Sequence, residues 1–334
     1  MPLSTAALEP VRIRGSGVAA TCCARLLSEA GFPLSLKGDT GARKPAILIG
    51  ERTQALVTDV FGQPGLFSGL HTIDRRMVAW GRAEPVEVPH RGAVVAESDL
   101  VERLGTAGAT AEGDPDWTIY ASQPTPDFGE QRFGSRTASA AAVELRTSRS
   151  SVCWIESLPG GWLFLLPDET SSGWLIAVGA PPGDLLSDSR LVGPQVESVS
   201  AEHAVFPAYP RIADPLCGPG WLACGTAAMA FDPLCGDGVG AAVREAILAA
   251  AVIRAAGSGY DPEGLLTHYR SRLTAGLLRH LEMCRDYYMA ANGGPWWERE
   301  IAGLDEGIAW CRAAIGKAGT SRYCLRGFEL ESIG

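Results

Sequence analysis

The stretch WLACGTAAMAFDPLCGDGVGAAVREAILAA, residues 221–250, constrains the fold more than any other part of the chain. It opens as a short apolar run of strand type, passes through four glycines and one proline, and closes as an alanine-rich helix. A backbone with so few side chains lets a flat or phosphorylated ligand approach closely, and the N–H groups of the next helix turn favour negative charge. The same form also occurs where no ligand is held.

A second strand-to-helix passage stands near the N-terminus, in VRIRGSGVAATCCARLLSEAGFPLSL. A β-type run is followed by a glycine turn at Gly15 and Gly17, an apolar-periodic helix to Ala30, a stop at Gly31 and a second run at Leu34–Leu36. The spacing predicts a β-α-β unit. Two tight glycines suit a pyrophosphate, and Ala20 takes the third small position, where helix and strand pack closely. Arg12 and Arg14 are unusual in such a strand. The acid that binds a ribose about 20 residues on is missing, since Lys37 and Gly38 stand there and Asp39 is the nearest carboxylate. The unit reads equally as a structural β-α-β element that binds nothing.

Between these passages the pattern changes. Residues 61–92 are rich in Gly, Pro and Arg, GAVVAESDLVERL reads as a strand leading into a helix, and DWTIYASQP as a buried strand. Residues 129–214 alternate short β-type runs with Gly, Pro, Asp and Ser, the pattern of an antiparallel sheet. After Ala242 the chain is predominantly helical. The expected fold is α/β: a discontinuous Rossmann-like unit from residues 1–60, 93–128 and 215–256, an antiparallel-sheet substrate domain from 61–92 and 129–214, and a helical segment over 257–334.

A net charge of −9 and a pI near 5.2 argue against a phosphate-backbone partner, so no nucleic acid is expected. The nine cysteines show no paired CxxC spacing, so buried thiols in a reduced cytoplasmic protein are expected and no metal. No run of 18 apolar residues occurs, so no membrane is expected.

The late segment resembles the flavin-binding motif of the FAD-dependent monooxygenase superfamily (the p-hydroxybenzoate-hydroxylase-like fold), especially its tryptophan-halogenase-like branch. There a strand ends in Gly-Asp-Ala-Ala and is followed by Asp-Pro-Leu and a glycine pair. GSGVAATCCARLL, KPAILIGERT and MVAWG are similar to other segments of that branch. The resemblance implies FAD as cofactor, with Gly15, Gly17 and Ala20 at its dinucleotide end and Gly225 and Thr226 at the ribityl chain. Asp232, Pro233, Leu234, Gly236 and Gly238 would lie beside the isoalloxazine, with the next helix starting at about Gly240. Three features depart from the pattern: Thr226 replaces the family aspartate, Glu97 stands where relatives carry arginine, and the ribose acid is absent.

Two functions follow from the resemblance. One is a monooxygenase that oxidises an aromatic or indole-like substrate, free or peptide-borne, through a flavin C4a-hydroperoxide. Trp80, Trp162, Trp174, Phe206 and Tyr209 are then the candidate pocket lining, and His71 and His203 the candidate acid or base, because histidine titrates near neutrality. A separate flavin reductase, or transiently bound NAD(P)H, would supply electrons. The other is a descendant of the fold that has lost FAD and binds a ligand or partner. Halogenation is disfavoured, since residues 51–100 contain no lysine and the Trp-x-Trp-x-Ile-Pro signature is absent. Trp296 and Trp297 seal the C-terminal helices onto the sheet, cap a substrate tunnel or form a dimer contact.

Overall fold

A computed structural model describes residues 8–38, 43–105, 108, 114–122, 125, 128–146, 148–318 and 322–333. Its α-helices are α1 (Val18–Glu29), α2 (Glu51–Phe61), α3 (Glu97–Leu104), α4 (Pro182–Asp188), α5 (Gly238–Gly257), α6 (Pro262–Met289) and α7 (Pro295–Ala318). Asp39, named above as the nearest carboxylate to the ribose position, lies outside the described residues.

Four parallel strands lie side by side in the order Trp221–Ala223, Trp117–Tyr120, Val11–Arg14 and Leu34–Lys37, with Cys217–Gly218 antiparallel at one edge. The first crossover, through α1, joins neighbouring strands as a β-α-β unit does. Strand alternation explains the two arginines: Val11 and Ile13 are fully buried, Arg12 is half-buried, and Arg14 is exposed with its guanidinium 5.7 Å from the centre of the Tyr120 ring. On the buried side α1 packs against α5, whose alanines allow close approach; Cys22, Cys23 and Leu27 of α1 and Val243 and Ala246 of α5 are fully buried.

The second sheet has eight strands in the order Val196–Pro207, Thr137–Leu145, Ser172–Gly179, Gly161–Pro167, Val152–Leu158, His71–Ala79, Val86–Val95 and Ile47–Gly50. Neighbours are antiparallel except His71–Ala79 against Val152–Leu158, which is parallel. Ile47–Gly50 and Gly92–Val95, grouped in sequence with the nucleotide-type unit, pair with each other in this larger sheet. One face carries Val143, Trp154, Leu163, Leu165 and Leu175, and Leu185 of α4 and Val192 close it. Buried Glu156 holds that cover in place by accepting the backbone N–H groups of Arg190 at 3.0 Å and Val192 at 3.0 Å.

Helices α6 and α7 pack along each other. The chain then forms a hairpin, Tyr323–Arg326 with Glu329–Ser332, where helix was expected. Gly327, at φ +57°, makes that turn possible. No helix among the described residues is long and apolar enough to cross a membrane. All nine cysteines are free, seven of them buried.

Candidate functional site

The first glycine turn is built by close approach. Gly15 has φ +110°, and a Cβ there would stand 2.7 Å from the backbone nitrogen of Ser122, beyond the end of the neighbouring strand. Gly17 caps α1 with no side-chain acceptor of its own. In front of it lies the Glu97 carboxylate, with Oε1 3.2 Å from where a Gly17 Cβ would be. Its Oε2 accepts the Lys44 backbone N–H at 3.0 Å and lies 3.5 Å from Lys44 Nζ. The chain's own anion therefore stands at a helix N-terminus that favours negative charge. Ala20 is buried, as its packing role requires.

The late segment is held from below. A Cβ on Gly225 would meet Ala19 Cβ at 2.7 Å and the Ala121 carbonyl at 2.8 Å, so this glycine lets the Gly225–Ala227 turn lie directly on α1. Its N–H donates to Glu245 Oε2 at 2.7 Å, and complete burial pushes the Glu245 carboxyl up to about 8. Tyr269 donates to the Ala223 carbonyl at 2.6 Å. Thr226 is exposed on the rim, its carbonyl accepting from Arg211 at 2.7 Å.

The Asp232 side chain is turned inward. It is fully buried: Oδ2 accepts Arg136 Nε at 2.7 Å and Tyr288 Oη at 2.7 Å, while Oδ1 accepts the Leu234 N–H at 2.9 Å and caps the Pro233–Cys235 turn. Asp232 thus acts as an anchor for that turn. Arg136 also reaches Glu300 Oε2 at 2.8 Å, and Glu300 accepts the Ser135 hydroxyl at 2.9 Å. Pro233 and Leu234 are half-buried in the turn. Past it, a Cβ on Gly236 or Gly238 would meet nothing within 4 Å, so this backbone is open. Gly240 is covered: a Cβ there would stand 2.9 Å from Thr53 Oγ1, beside Asp237, which accepts from Thr53 at 2.9 Å and Arg244 at 2.6 Å. Helix α5 begins at Gly238, two residues before the expected start.

The face of the large sheet opposite α4 is apolar and partly open. Cross-strand register aligns Phe206, Ala138, Val178 and Trp162 in one row, then Ala204, Ala140, Ile176 and Phe164, then Ala142, Trp174 and Leu166. Trp174, Phe164, Ile176, Ala140 and Ala142 are half-buried, and Phe206 is 37% exposed at the edge. Trp162 is not available as lining, being 1% exposed with its indole N–H 3.4 Å from Tyr288 Oη. The path Trp162–Tyr288–Asp232 joins this face to the open glycine turn.

Trp80 is half-buried at the start of the loop after the strand His71–Ala79, its N–H on the Tyr287 carbonyl at 2.7 Å and its ring edge-on to Trp297. Trp297 is fully buried and donates to the Leu158 carbonyl at 2.9 Å, so it seals α7 onto the sheet. Tyr209 lies under Arg132, 5.8 Å from its guanidinium carbon.

The two histidines separate. His203 is exposed on the edge strand opposite Ala141, whose row continues to Leu175 and Leu165, so it projects to the α4 side and away from the apolar face. His71 is half-buried with Nε2 2.8 Å from the Ser150 carbonyl. A carbonyl only accepts, so Nε2 carries the proton and Nδ1 is left as the basic nitrogen. Sequence reasoning missed Arg136, Glu245, His280, Tyr288 and Glu300. The one legible signal was a pair of charges, Glu245 and Glu300, inside apolar-periodic helices.

No family model matches the chain, and no curated protein matches its sequence. Solved structures do. One is the peptidyl tryptophan dihydroxylase QhpG, essential for tryptophylquinone cofactor biogenesis, at 18% identity over 88% of this chain and 79% of that one, with a TM-score of 0.73. Another is the flavin-dependent halogenase CmlS, at 13% identity over 93% and 71%, with a TM-score of 0.75. The flavin-dependent brominase Bmp2 matches at 18% identity over 92% and 98%, with a TM-score of 0.66. The chain has the FAD-dependent monooxygenase fold in its tryptophan-halogenase-like form.

Proposed function

We propose that the protein is a flavin-dependent monooxygenase acting on an aromatic or indole ring, free or carried on a peptide. The observation that carries this reading is the open backbone at Gly236 and Gly238, joined to a half-open apolar sheet face. That exposed backbone leaves room for the flat end of FAD, since no described residue comes within 4 Å of a Cβ at either glycine. The pyrophosphate end would rest on Gly15, Gly17 and the first turn of α1, where Glu97 opposes it.

When bound, FAD supplies the two-electron chemistry and the activation of oxygen. The chain's residues bind, orient and keep water out. Trp174, Phe164 and Ile176 offer an apolar wall, and Ala140 and Ala142 leave room for a ring to lie flat on the sheet. Arg76, 5.9 Å from the Phe164 ring, closes one side with positive charge. His71 Nδ1 is the candidate proton acceptor. Oxygenation is favoured over halogenation: of the three lysines, Lys37 is exposed at the end of the edge strand of the parallel sheet, Lys44 pairs with Glu97, and Lys317 lies in the last turn of α7. Electrons would come from a separate flavin reductase or from transiently bound NAD(P)H.

A second reading, a fold that has given up FAD, is favoured by the three departures from the family pattern, of which Glu97 stands at the first glycine turn. A carboxylate about 5 Å from a phosphate costs about 3 kcal/mol at an effective dielectric of about 20, and Lys44 beside Glu97 and Arg43 beside Gly17 offset part of that. Glu97→Gln keeps an acceptor for the Lys44 N–H and removes the charge, so FAD affinity should rise about tenfold. Fluorescence titration at low and high salt checks this, and the difference should shrink with salt. Activity is tested by supplying reduced FAD from a flavin reductase, with indoles and tryptophan-containing peptides as substrates. The expected product is heavier by one oxygen atom. FAD bound in stoichiometric amount with no oxygen transfer to any indole or aromatic compound would refute the monooxygenase reading.

A further inference from the structure

The lip of the open turn carries chemistry that the flavin reading does not use. Cys235 closes the Pro233–Cys235 turn, and its Sγ lies 3.4 Å from Sγ of Cys284 on α6. Cys284 Sγ is also 3.4 Å from Nε2 of His280, one helical turn earlier. Cys235 is half-buried and reachable, whereas Cys284 and His280 are buried behind it.

This pair differs from the other thiols. Burial pushes Cys22, Cys153, Cys217 and Cys311 up, which makes them inert at neutral pH. At Cys235 the hydrogen bond from Cys284 holds the thiol down at about 6 against the effects of burial and of the Asp232 carboxylate. Cys284 is pushed up by its bond to Cys235 and by burial, with Arg136 opposing, so it keeps its proton.

Cys235, Cys284 and His280 also bring three ligand atoms within 4.8 Å of one another, as a metal trio would. The imidazole is already spent, however: Nε2 accepts the Asp232 backbone N–H at 2.9 Å, and a neutral ring nitrogen has a single lone pair. Two thiols alone fall short of the three protein ligands that even an open zinc site keeps.

We propose that Cys235 and Cys284 form a peroxide-sensitive dithiol, with Cys235 as the attacking thiolate and Cys284 as the resolving thiol. The Cys235 sulfur attacks one oxygen of hydrogen peroxide and the O–O bond breaks. The departing hydroxide takes up the proton that Cys235 released and becomes water, leaving a sulfenic acid. The Cys284 sulfur then displaces that oxygen, forming the S–S bond as the S–O bond breaks, and its proton leaves with the oxygen as a second water. Two thiols are oxidised and one peroxide is reduced to two waters. The sulfurs close from 3.4 Å to about 2.05 Å, tying the turn to α6. No cofactor takes part, so this inference stands apart from the flavin reading.

The test treats the fully reduced protein with an equimolar dose of hydrogen peroxide, then alkylates, digests and maps the peptides. The expected main product is a Cys235–Cys284 disulfide that dithiothreitol reverses. In Cys284→Ser the reaction should stop at a Cys235 sulfenic acid that dimedone captures, and in Cys235→Ser the Cys284 thiol should survive. Melting curves report whether both variants are folded. On the unaltered protein, Cys235 should be alkylated by iodoacetamide with a midpoint near pH 6, against about 8.5 for a free cysteine. Two outcomes overturn the proposal: both thiols staying reduced under a dose that oxidises free glutathione, or equimolar zinc in the purified protein that is lost in both variants.

Discussion

Arg136→Met should lower the stability of the fold by about 3–5 kcal/mol. Arg136 is the cation between two carboxylates, Asp232 at 2.7 Å and Glu300 at 2.8 Å, and all three side chains are fully buried. Taking the guanidinium away leaves both acids in a medium that solvates them poorly, with Tyr288 and the Leu234 N–H donating to Asp232, Ser135 donating to Glu300, and the exposed Arg299 3.7 Å from Glu300. The cost is the desolvation of uncompensated charge, and it exceeds what the net-favourable part of the ion pair contributes. The control is the triple variant Arg136→Met, Asp232→Asn, Glu300→Gln, which removes every charge and should recover most of the loss. Denaturant unfolding followed by circular dichroism measures both. A single-variant loss below about 1 kcal/mol, the range of an exposed ion pair, would show that the triad is not dry.

The second large effect is a dependence on pH. Burial pushes Glu245 from 4.5 up to about 8, so the folded chain holds this proton more tightly than the unfolded chain does. The stability that Glu245 contributes is fully present below pH 4.5, declines as pH rises, and is lost above about pH 8. The span is worth about 3–5 kcal/mol, because each tenfold gain in proton affinity contributes about 1.4 kcal/mol. His90 and His268 act in the opposite sense, since burial lowers both from 6.5 to about 4, so their contribution grows as pH rises through that window. Glu245→Gln isolates the effect: the amide oxygen still accepts from Gly225 N, but nothing titrates. The difference between the two stability profiles should slope down with pH between 4.5 and 8. A flat difference would mean that water reaches Glu245 in the folded protein.

The sequence makes local elements readable and leaves long-range ones hidden. The two strand–glycine–helix passages and the alternation across residues 129–214 show in the chain because each is decided within about ten residues by side-chain period and turn chemistry. The Arg136 triad is invisible there, since its carboxylates lie 96 and 164 positions away. Alternation places Trp162 and Trp174 on the same face, yet their burial differs because Tyr288 of α6 covers only the first. His203 is a matter of parity: one residue either way along its strand would have turned it to the apolar face. Glu97 stands out in sequence as a departure from the family, but its position over Gly17 follows from packing. The C-terminal hairpin is hard to read because its charged, half-exposed strands lack a strong apolar period.

Under the proposed function, a flavin ring lies on the bare backbone at Gly236 and Gly238. Gly238 tests this directly, since it has an ordinary helical start position and a Cβ there meets nothing within 4 Å in the chain itself. Titrating FAD into the unaltered protein and into Gly238→Val, with melting temperatures for both, separates ligand contact from stability. The account predicts saturable binding of one FAD by the unaltered protein, and at least about tenfold weaker binding by the variant at an unchanged melting temperature. Equal affinity in both, or no FAD uptake by the unaltered protein, would contradict it.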